Sequence, residues 1–199
     1  MSAGEERRRP RRGRPAKLTR GAICSAAIGL IDRDGPAALT MRALAQELGV
    51  EAMSLYRHVG SKDELLDAVA EQLFAQIEPR GISSDWAAAV RGYASSVRGL
   101  ARAHPQAFAL VAARSGGARA LQPAEDLLAS LRASGFTPAR AVAAYRLVAA
   151  YTSGYVLAEI GGPALAEDAI PPRMAALRSL ARQLTGEPPQ GSFRAGLET

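Results

Sequence analysis

Cysteine, histidine and aromatic residues are scarce in this chain of 199 residues. It has one Cys, two His and 5% aromatic residues. A single cysteine excludes an internal disulfide, and the two histidines provide no metal-ligand spacing. The chain also has no nucleophile–base pairing and no glycine-rich phosphate loop after a strand. We therefore expect a protein that is not an enzyme and has no catalytic residues, cofactor or metal.

Long apolar runs, β-branched runs and strand-like alternation are also missing. No segment is apolar enough to span a membrane and no signal peptide precedes the first predicted helix, so we expect a cytoplasmic protein with no membrane partner. Alanine and leucine dominate a composition that is 48% apolar. Apolar residues recur at helical spacing, which predicts an all-α protein of about nine helices.

Basic residues are concentrated at the start of the chain. Residues 1–20 hold eight Lys or Arg against two Glu, a net charge of +6, and the whole chain also carries +6. Residues 21–199 therefore sum to zero, and the basic character belongs to an N-terminal arm. We predict that this arm is disordered because it is rich in Arg, contains Pro and lacks apolar periodicity.

The most informative segment, residues 40–62, reads TMRALAQELGVEAMSLYRHVGSK. Thr40 is a predicted N-cap, and Gly49 ends the first helix because glycine adopts the left-handed conformation of a sharp turn. The buried face of this helix is formed by Met41, Leu44, Ala45 and Leu48. A second helix is predicted from about Ala52 to Val59. Two short helices joined by a glycine turn are typical of a helix-turn-helix, which presents its second helix to DNA.

Bracing helices are predicted on both sides of this segment. Upstream, Thr19 caps an apolar helix that ends at Asp34-Gly35-Pro36. Downstream, Ser61-Lys62-Asp63-Glu64 is a capping box that begins another helix, which ends at Pro79-Arg80-Gly81. The pattern predicts a small DNA-reading bundle followed by a connecting helix.

Three motifs in this region match a known family. They are Leu39-Thr40-x-Arg42-x-Leu44-Ala45-x-x-Leu48-Gly49-Val50, Leu55-Tyr56-x-His58-Val59, and Lys62 followed by Leu65-Leu66. On these motifs, residues 18 to about 70 resemble the DNA-binding domain of the tetracycline-repressor (TetR) family of bacterial regulators. The resemblance implies base contacts from Arg42, Ala52, Met53 and Ser54. It implies phosphate contacts from Thr40, Tyr56, His58 and Lys62.

Purely structural roles are the alternative for several of these residues. Thr40 could be only a helix cap, Tyr56 only a wedge between helices, and Met53 only a surface residue. The chemistry suits DNA, because arginine can bridge guanine O6 and N7, and small or flexible apolar side chains suit a thymine methyl.

The basic arm contains Arg12-Gly13-Arg14-Pro15, which resembles the core of an AT-hook. On this interpretation Arg12 and Arg14 lie in the minor groove beside the helix-turn-helix and add salt-dependent affinity. The alternative is an arm that only improves solubility.

Five further apolar helices are predicted after residue 80. They resemble the regulatory domain with which TetR-family members bind a small effector and dimerise. The helix from Pro138 to about Ile160 and the last helix, from Arg173 to Leu184, are the candidates for a four-helix interface between two subunits. The predicted domains are a disordered basic arm (1–17), a DNA-binding domain with its connecting helix (18–80), an effector-binding and dimerisation domain (81–185) and a flexible tail (186–199).

Aromatic residues are concentrated in the regulatory half and would suit a flat amphiphilic ligand in an apolar cavity. The candidate effector-binding residues are Trp86, Tyr93, Phe108, Tyr145, Tyr151 and Tyr155. Each of them could instead belong to the core or to an interface. His104 has no neighbouring ligands for a magnesium–tetracycline complex, and Cys24 is expected to pack as a small apolar group.

The resemblance thus predicts a ligand-responsive repressor. It would bind a palindromic double-stranded DNA operator as a homodimer and leave it when a small apolar or amphiphilic effector binds. The alternative is a dimeric DNA-binding regulator that senses no small molecule. An interior cavity of several hundred Å³ among the later helices would favour the ligand-responsive repressor.

Overall fold

The computed structural model describes residues 18–78, 81–114, 118–162, 170–185 and 191–198. Within these ranges the chain forms ten α-helices and two short 3₁₀ turns, with no β-strand. The all-α prediction is confirmed, with one helix more than the nine expected. Arg12 and Arg14, and with them the predicted disorder of the arm, lie outside the described residues.

The first half of the chain contains α1 (Arg20–Asp34), α2 (Met41–Leu48), α3 (Ala52–Tyr56) and α4 (Lys62–Phe74). The second half contains α5 (Trp86–Ala103), α6 (Pro105–Val111), α7 (Gln122–Ala133), α8 (Pro138–Gly161), α9 (Ala175–Thr185) and α10 (Ser192–Glu198). The 3₁₀ turns are Pro36–Ala38 and Ala118–Leu121.

The predicted helix caps of the first half are present. The side chains of Thr19, Thr40 and Ser61 each accept a hydrogen bond from the backbone N–H three residues ahead, which satisfies an otherwise unpaired donor of α1, α2 and α4. The second helix of the motif is shorter than predicted. It ends at Tyr56, because the N–H of His58 bonds to the Leu55 carbonyl in a tight turn.

Helices α1 to α4 pack around aliphatic side chains that are removed from solvent. These are Ile23 and Ile31 on α1, Leu44 on α2, Leu55 on α3, and Leu65 and Val69 on α4. Each such side chain stabilises the fold by about 1.5–3 kcal/mol relative to exposure. The five residues of α3 are too few for an isolated helix. Contacts with the rest of this unit therefore hold α3 in place.

The core continues from this unit into the second half of the chain. Val97 and Leu100 on α5 and Phe108 and Val111 on α6 belong to the same buried cluster as the first four helices. A separate small cluster joins α5, α7 and α8. The DNA-reading unit and the later helices are thus in direct apolar contact.

Two long surfaces of the later helices expose apolar side chains. On α8 the exposed fractions are 42% for Val142, 72% for Leu147 and 38% for Leu157. On α9 they are 39% for Leu177 and 52% for Leu180. Among the described residues, no helix has the length and apolarity needed to cross a membrane.

Within the predicted flexible tail (186–199), the structure has the helix α10. Phe193 is buried between Tyr151 and Tyr155 of α8, with ring centroids 5.9 and 5.0 Å away. The hydroxyl of Tyr155 lies 2.5 Å from Ser192 Oγ. One aromatic side chain in a polar segment has no periodicity, so helical patterning does not reveal that it anchors a short helix.

Candidate nucleic-acid interface and effector cavity

The turn between α2 and α3 is built around Gly49. This glycine has φ +65° and ψ +32°, the left-handed conformation in which an L side chain is strained. The N–H of Val50 donates a hydrogen bond to the Ala45 carbonyl at 3.0 Å, and the N–H of Gly49 donates one to the Gln46 carbonyl at 3.1 Å. This pair of hydrogen bonds is a Schellman motif. With Leu55 and Val59 buried behind it, α3 is held at a defined angle to α2.

The sequence-predicted DNA contacts lie on one stretch of this unit. We call the side chains on α2, α3 and the following turn the reading face; they are Arg42, Ala52, Met53, Ser54, Tyr56 and His58. Met53 is 71% and Tyr56 43% exposed, although both are large. Arg42 and His58 are exposed, whereas Ala52 and Ser54 are half-buried. Arg57 donates a hydrogen bond to Ser54 Oγ at 3.2 Å, so the polar part of α3 is ordered before any ligand arrives.

Thr40 and Lys62 flank the reading face at helix starts. Thr40 caps α2, and Lys62 is the first residue of α4, next to the cap Ser61. Glu64 Oε2 accepts a hydrogen bond from the Gly60 N–H at 3.0 Å, which ties α4 to the turn after α3. The start of α4 and the end of α3 are thus joined through this turn.

Polar contacts also join the reading unit to the later helices. His104 Nδ1, between α5 and α6, lies 2.8 Å from Asp32 Oδ2 of α1, and the Ala107 N–H donates to Asp32 Oδ1 at 2.9 Å. Beyond the other end of α6, the guanidinium of Arg114 bonds to Asp63 Oδ1 at 2.8 Å and to Asp67 Oδ1 at 2.5 Å. Helix α6 is thus connected to the reading unit at both ends.

Two neighbouring cavities lie among the later helices, one lined by α4, α5, α6, α7 and α8 and the other by α5, α7 and the segment after α4. The larger has a volume of about 250 Å³ and the smaller about 210 Å³. They share Ile77, Tyr93 and Pro123 in their walls. Each is below the roughly 300–1,000 Å³ typical of ligand pockets.

Three of the six aromatic candidates meet at the larger cavity. Tyr93, Phe108 and Tyr145 line it, and the rings of Tyr93 and Tyr145 meet edge to face with centroids 6.2 Å apart. Burial, with a smaller effect from Tyr145, raises the pKa of Tyr93, so its hydroxyl stays protonated and able to donate. Phe108 also packs edge-on against Phe74 of α4, with ring centroids 5.9 Å apart.

The other three aromatic candidates lie elsewhere in the structure. Trp86 is the first residue of α5 and lies beyond the cavity walls. Its side chain is 47% exposed and packs against Phe136. Tyr151 and Tyr155 face Phe193 of α10 instead of either cavity. Aromatic composition alone does not distinguish these positions, since it carries no information on which helix face meets which neighbour.

Cys24 behaves as predicted. It is buried on α1, and burial raises the pKa of its thiol, which disfavours the reactive thiolate. Among the described residues, no group of three or more His, Cys, Asp or Glu could hold a metal ion.

Sequence reasoning missed Asp32, Asp63, Asp67 and Arg114. Each belongs to a polar contact that joins residues at least 47 positions apart. Local patterning treats such charges as part of a solvated surface.

Comparisons with known proteins agree with this geometry. Residues 23–69 match the profile of bacterial regulatory proteins of the tetR family, and residues 78–192 match the tetracyclin repressor-like C-terminal domain. An HTH-type transcriptional regulator of Saccharopolyspora erythraea is 38% identical over 144 residues, which cover 71% of this chain and 61% of that protein. The chain thus spans about three fifths of this relative.

The chain is also similar to a tetracycline repressor and to a regulator of known crystal structure. The class A tetracycline repressor protein from transposon 1721 of Escherichia coli is 33% identical over 149 residues, 73% of this chain and 69% of the repressor. The crystal structure of ActR from Streptomyces coelicolor in complex with actinorhodin aligns with a TM-score of 0.76 and 29% identity, over 92% of this chain and 93% of ActR.

Proposed function

Because the chain belongs to the TetR family of bacterial regulatory proteins, whose members are DNA-binding transcription factors, we propose that it is an effector-controlled repressor. It binds a palindromic operator as a homodimer, and a small apolar or amphiphilic molecule in the cavities beside Tyr93 releases the DNA. The main support is the position of α6. Its Phe108 lines the larger cavity and also packs on α4 of the reading unit.

The reading face supplies the proposed base contacts. Arg42 approaches a guanine, and Ala52, Met53 and Ser54 meet base edges at the start of α3. Phosphates are contacted by Thr40, Tyr56, His58 and Lys62. Thr40 and Lys62 stand at the starts of α2 and α4, where unpaired N–H groups and the helix dipole already favour an anion. Arg12 and Arg14 of the basic arm are proposed to add minor-groove contacts.

The exposed apolar faces of α8 and α9 are the proposed dimer surface. Large exposed apolar patches often mark protein–protein interaction sites. Ala143, Ala150 and Gly154 are also exposed on α8, and their small side chains allow a partner helix to approach closely. Pairing two reading units through a two-fold interface also explains why a short recognition helix suffices, since a palindromic operator is then contacted twice.

Release is proposed to follow from differential binding to two states. In the DNA-competent state the two recognition helices of the dimer lie about 34–36 Å apart, one turn of DNA. An effector that fits the cavities better after a shift of α6 moves α4 through Phe74 and Arg114, and so changes that spacing. An effector with equal affinity for both states has no effect.

Substitution of two basic residues is expected to separate the two kinds of DNA contact. Lys62→Ala should weaken binding to all sequences alike and reduce the slope of log affinity against log salt by about one, because one phosphate contact is lost. Arg42→Ala should cost about 1–3 kcal/mol at one base position and relax the preference there. Fluorescence anisotropy on operator and random DNA at several salt concentrations measures both effects.

Arg194→Ala is the matched control for these two variants. It removes an arginine from α10, outside the reading face, where it pairs with Glu198. Its affinity and salt slope should equal those of the unchanged protein. If Lys62→Ala and Arg42→Ala have the same effect on specific and random DNA, the assignment of the two residues to different roles is wrong.

Selection of bound sequences from random DNA tests the proposed function as a whole. The full chain should enrich a palindrome whose half-sites are separated by about one helical turn. A variant lacking residues 1–17 should enrich the same palindrome with lower affinity and a weaker salt dependence. Enrichment of a single, non-repeated site would contradict the dimeric mode of binding, and no enrichment would contradict the function.

The small volumes of the cavities favour one alternative, a dimeric regulator that senses no ligand. Each cavity by itself is smaller than most ligand sites. The two functions differ in one observable. A ligand-responsive protein loses operator affinity in the presence of some small molecule that binds the cavities, whereas the alternative keeps its affinity with every compound tested.

A further inference from the structure

Arg114 connects the larger cavity to the reading unit. It is the one charged residue in the described lining of that cavity, which is otherwise apolar, aromatic or hydroxyl-bearing. Its guanidinium also bonds to the side chains of Asp63 and Asp67 on α4. A single side chain therefore takes part in both the cavity wall and the start of α4.

The two sides of this contact differ in exposure. The side chain of Arg114 is 26% exposed, whereas those of Asp63 and Asp67 are 85% and 53% exposed. Ion pairs with such exposed carboxylates contribute little to stability, because water solvates the carboxylates nearly as well as the guanidinium does. An anion inside the cavity is poorly solvated and gains much more from the same guanidinium.

We propose that the larger cavity takes an organic anion, a carboxylate on a flat apolar body, and that this carboxylate draws Arg114 away from Asp63 and Asp67. The proposal rests on the proposed function, because it specifies the chemical class of the effector. Tyr93, Phe108 and Tyr145 supply the surface for the apolar body. Arg114 supplies a planar fork that matches a carboxylate with two parallel hydrogen bonds.

Charges in the neighbouring cavity set the orientation of such a ligand. Glu78 and Asp126 line the smaller cavity, which has no basic residue in its described lining. A carboxylate is repelled from that end and attracted towards Arg114. A cationic ligand would have the opposite orientation and would leave the contact between Arg114 and α4 intact.

Loss of the contact between Arg114 and α4 would affect the proposed DNA-binding surface through neighbouring residues. Asp63 follows Lys62, and Arg114 also reaches the Asp63 backbone carbonyl at 3.5 Å. Within the next residues, Glu64 holds the Gly60 N–H in the turn after α3. When Arg114 turns to a bound anion, the first turn of α4 loses its polar contact with the later helices, while the packing of Phe74 on Phe108 remains. The turn that holds the recognition helix can then shift.

Calorimetry with matched probes tests the anion preference. The probes are 2-naphthoate and its neutral amide, 2-naphthamide, titrated into the full chain at pH 7.5. Naphthoate should bind about tenfold more tightly, the ratio that one charge-assisted pair provides. Arg114→Gln should abolish the difference, Arg114→Lys should keep part of it, and the control Arg194→Gln should keep all of it. Equal binding of the two probes, or a preference that persists in Arg114→Gln, overturns the proposal.

Operator anisotropy with the same probes tests the coupling. Saturating naphthoate should weaken operator binding by the unchanged protein at least fivefold and leave Arg114→Gln unaffected. Asp67→Asn should weaken operator binding without any probe and should bind naphthoate more tightly. If both probes release the operator equally, the effector response stands and the anion inference fails. If no variant binds the selected DNA, the proposed function fails, while calorimetry still decides the anion preference.

Discussion

Glutamate at both Leu147 and Leu177 is expected to separate the proposed dimer and to weaken operator binding by about 10²–10⁴-fold, the usual gain from a linked second contact. Leu147 is the most exposed large apolar side chain of α8, and Leu177 lies on the exposed face of α9. In a dimer built on these faces, each glutamate would be buried without a partner. Removing a charge from water without compensation costs several kcal/mol, which exceeds what the remaining contacts can offset.

Sedimentation equilibrium gives the oligomeric state of this variant, and anisotropy on the selected operator gives its affinity. Ser95→Glu is the matched control, because Ser95 is exposed on α5 and the substitution adds the same charge outside the α8 and α9 faces. A second control, Leu147→Met with Leu177→Met, preserves an apolar surface and should remain dimeric. A double glutamate variant that stays dimeric at micromolar concentration and binds DNA normally would show that these faces are not the interface.

Phe108→Ala is expected to lower the free energy of unfolding by about 3–5 kcal/mol, the usual cost of a buried phenylalanine. Phe108 is 1% exposed and belongs to the cluster that joins α1, α4 and α6. Its removal leaves a void beside Phe74 and eliminates the aromatic contact between α6 and α4. For a chain of this length the midpoint of thermal unfolding should fall by about 6–20 °C.

Scanning calorimetry at one fixed protein concentration measures this change, since dimerisation makes the midpoint depend on concentration. Phe136→Ala serves as the comparison, because Phe136 is half-buried and pairs with the exposed Trp86 at the surface. Phe136→Ala should lower the free energy of unfolding much less than Phe108→Ala does. If the two substitutions lower the free energy of unfolding equally, the contact between α6 and α4 stabilises the fold no more than the surface pair does.

Local features of the fold could be predicted from sequence because their partners are a few residues apart. The caps at Thr19, Thr40 and Ser61 bond three residues ahead, and Gly49 shapes its turn through its own backbone conformation. Apolar spacing also predicted the helix of 24 residues that begins at Pro138. Family membership confirms the resemblance read from the motifs between Leu39 and Leu66.

The candidate cavity was only half predictable. Tyr93, Phe108 and Tyr145 line the larger cavity, while Tyr151 and Tyr155 pack against α10. All five residues have similar sequence environments, on helices with apolar neighbours three and four positions away. Which of them faces a cavity depends on the angles at which α5, α6 and α8 cross, and those angles result from the packing of many side chains at once.

The sequence by itself determined most of the helices, the caps at Thr19, Thr40 and Ser61 and the turn at Gly49, because each depends on neighbours within one or two helical turns. Only the tertiary structure decided that Phe193 would order a helix in the tail and that Asp32 would meet His104, 72 residues away. The tertiary structure also decided that Arg114 would line the larger cavity and contact α4. Contacts between distant residues arise when helix faces dock, and a polar side chain at a helix end is free to join whichever partner that docking brings within reach.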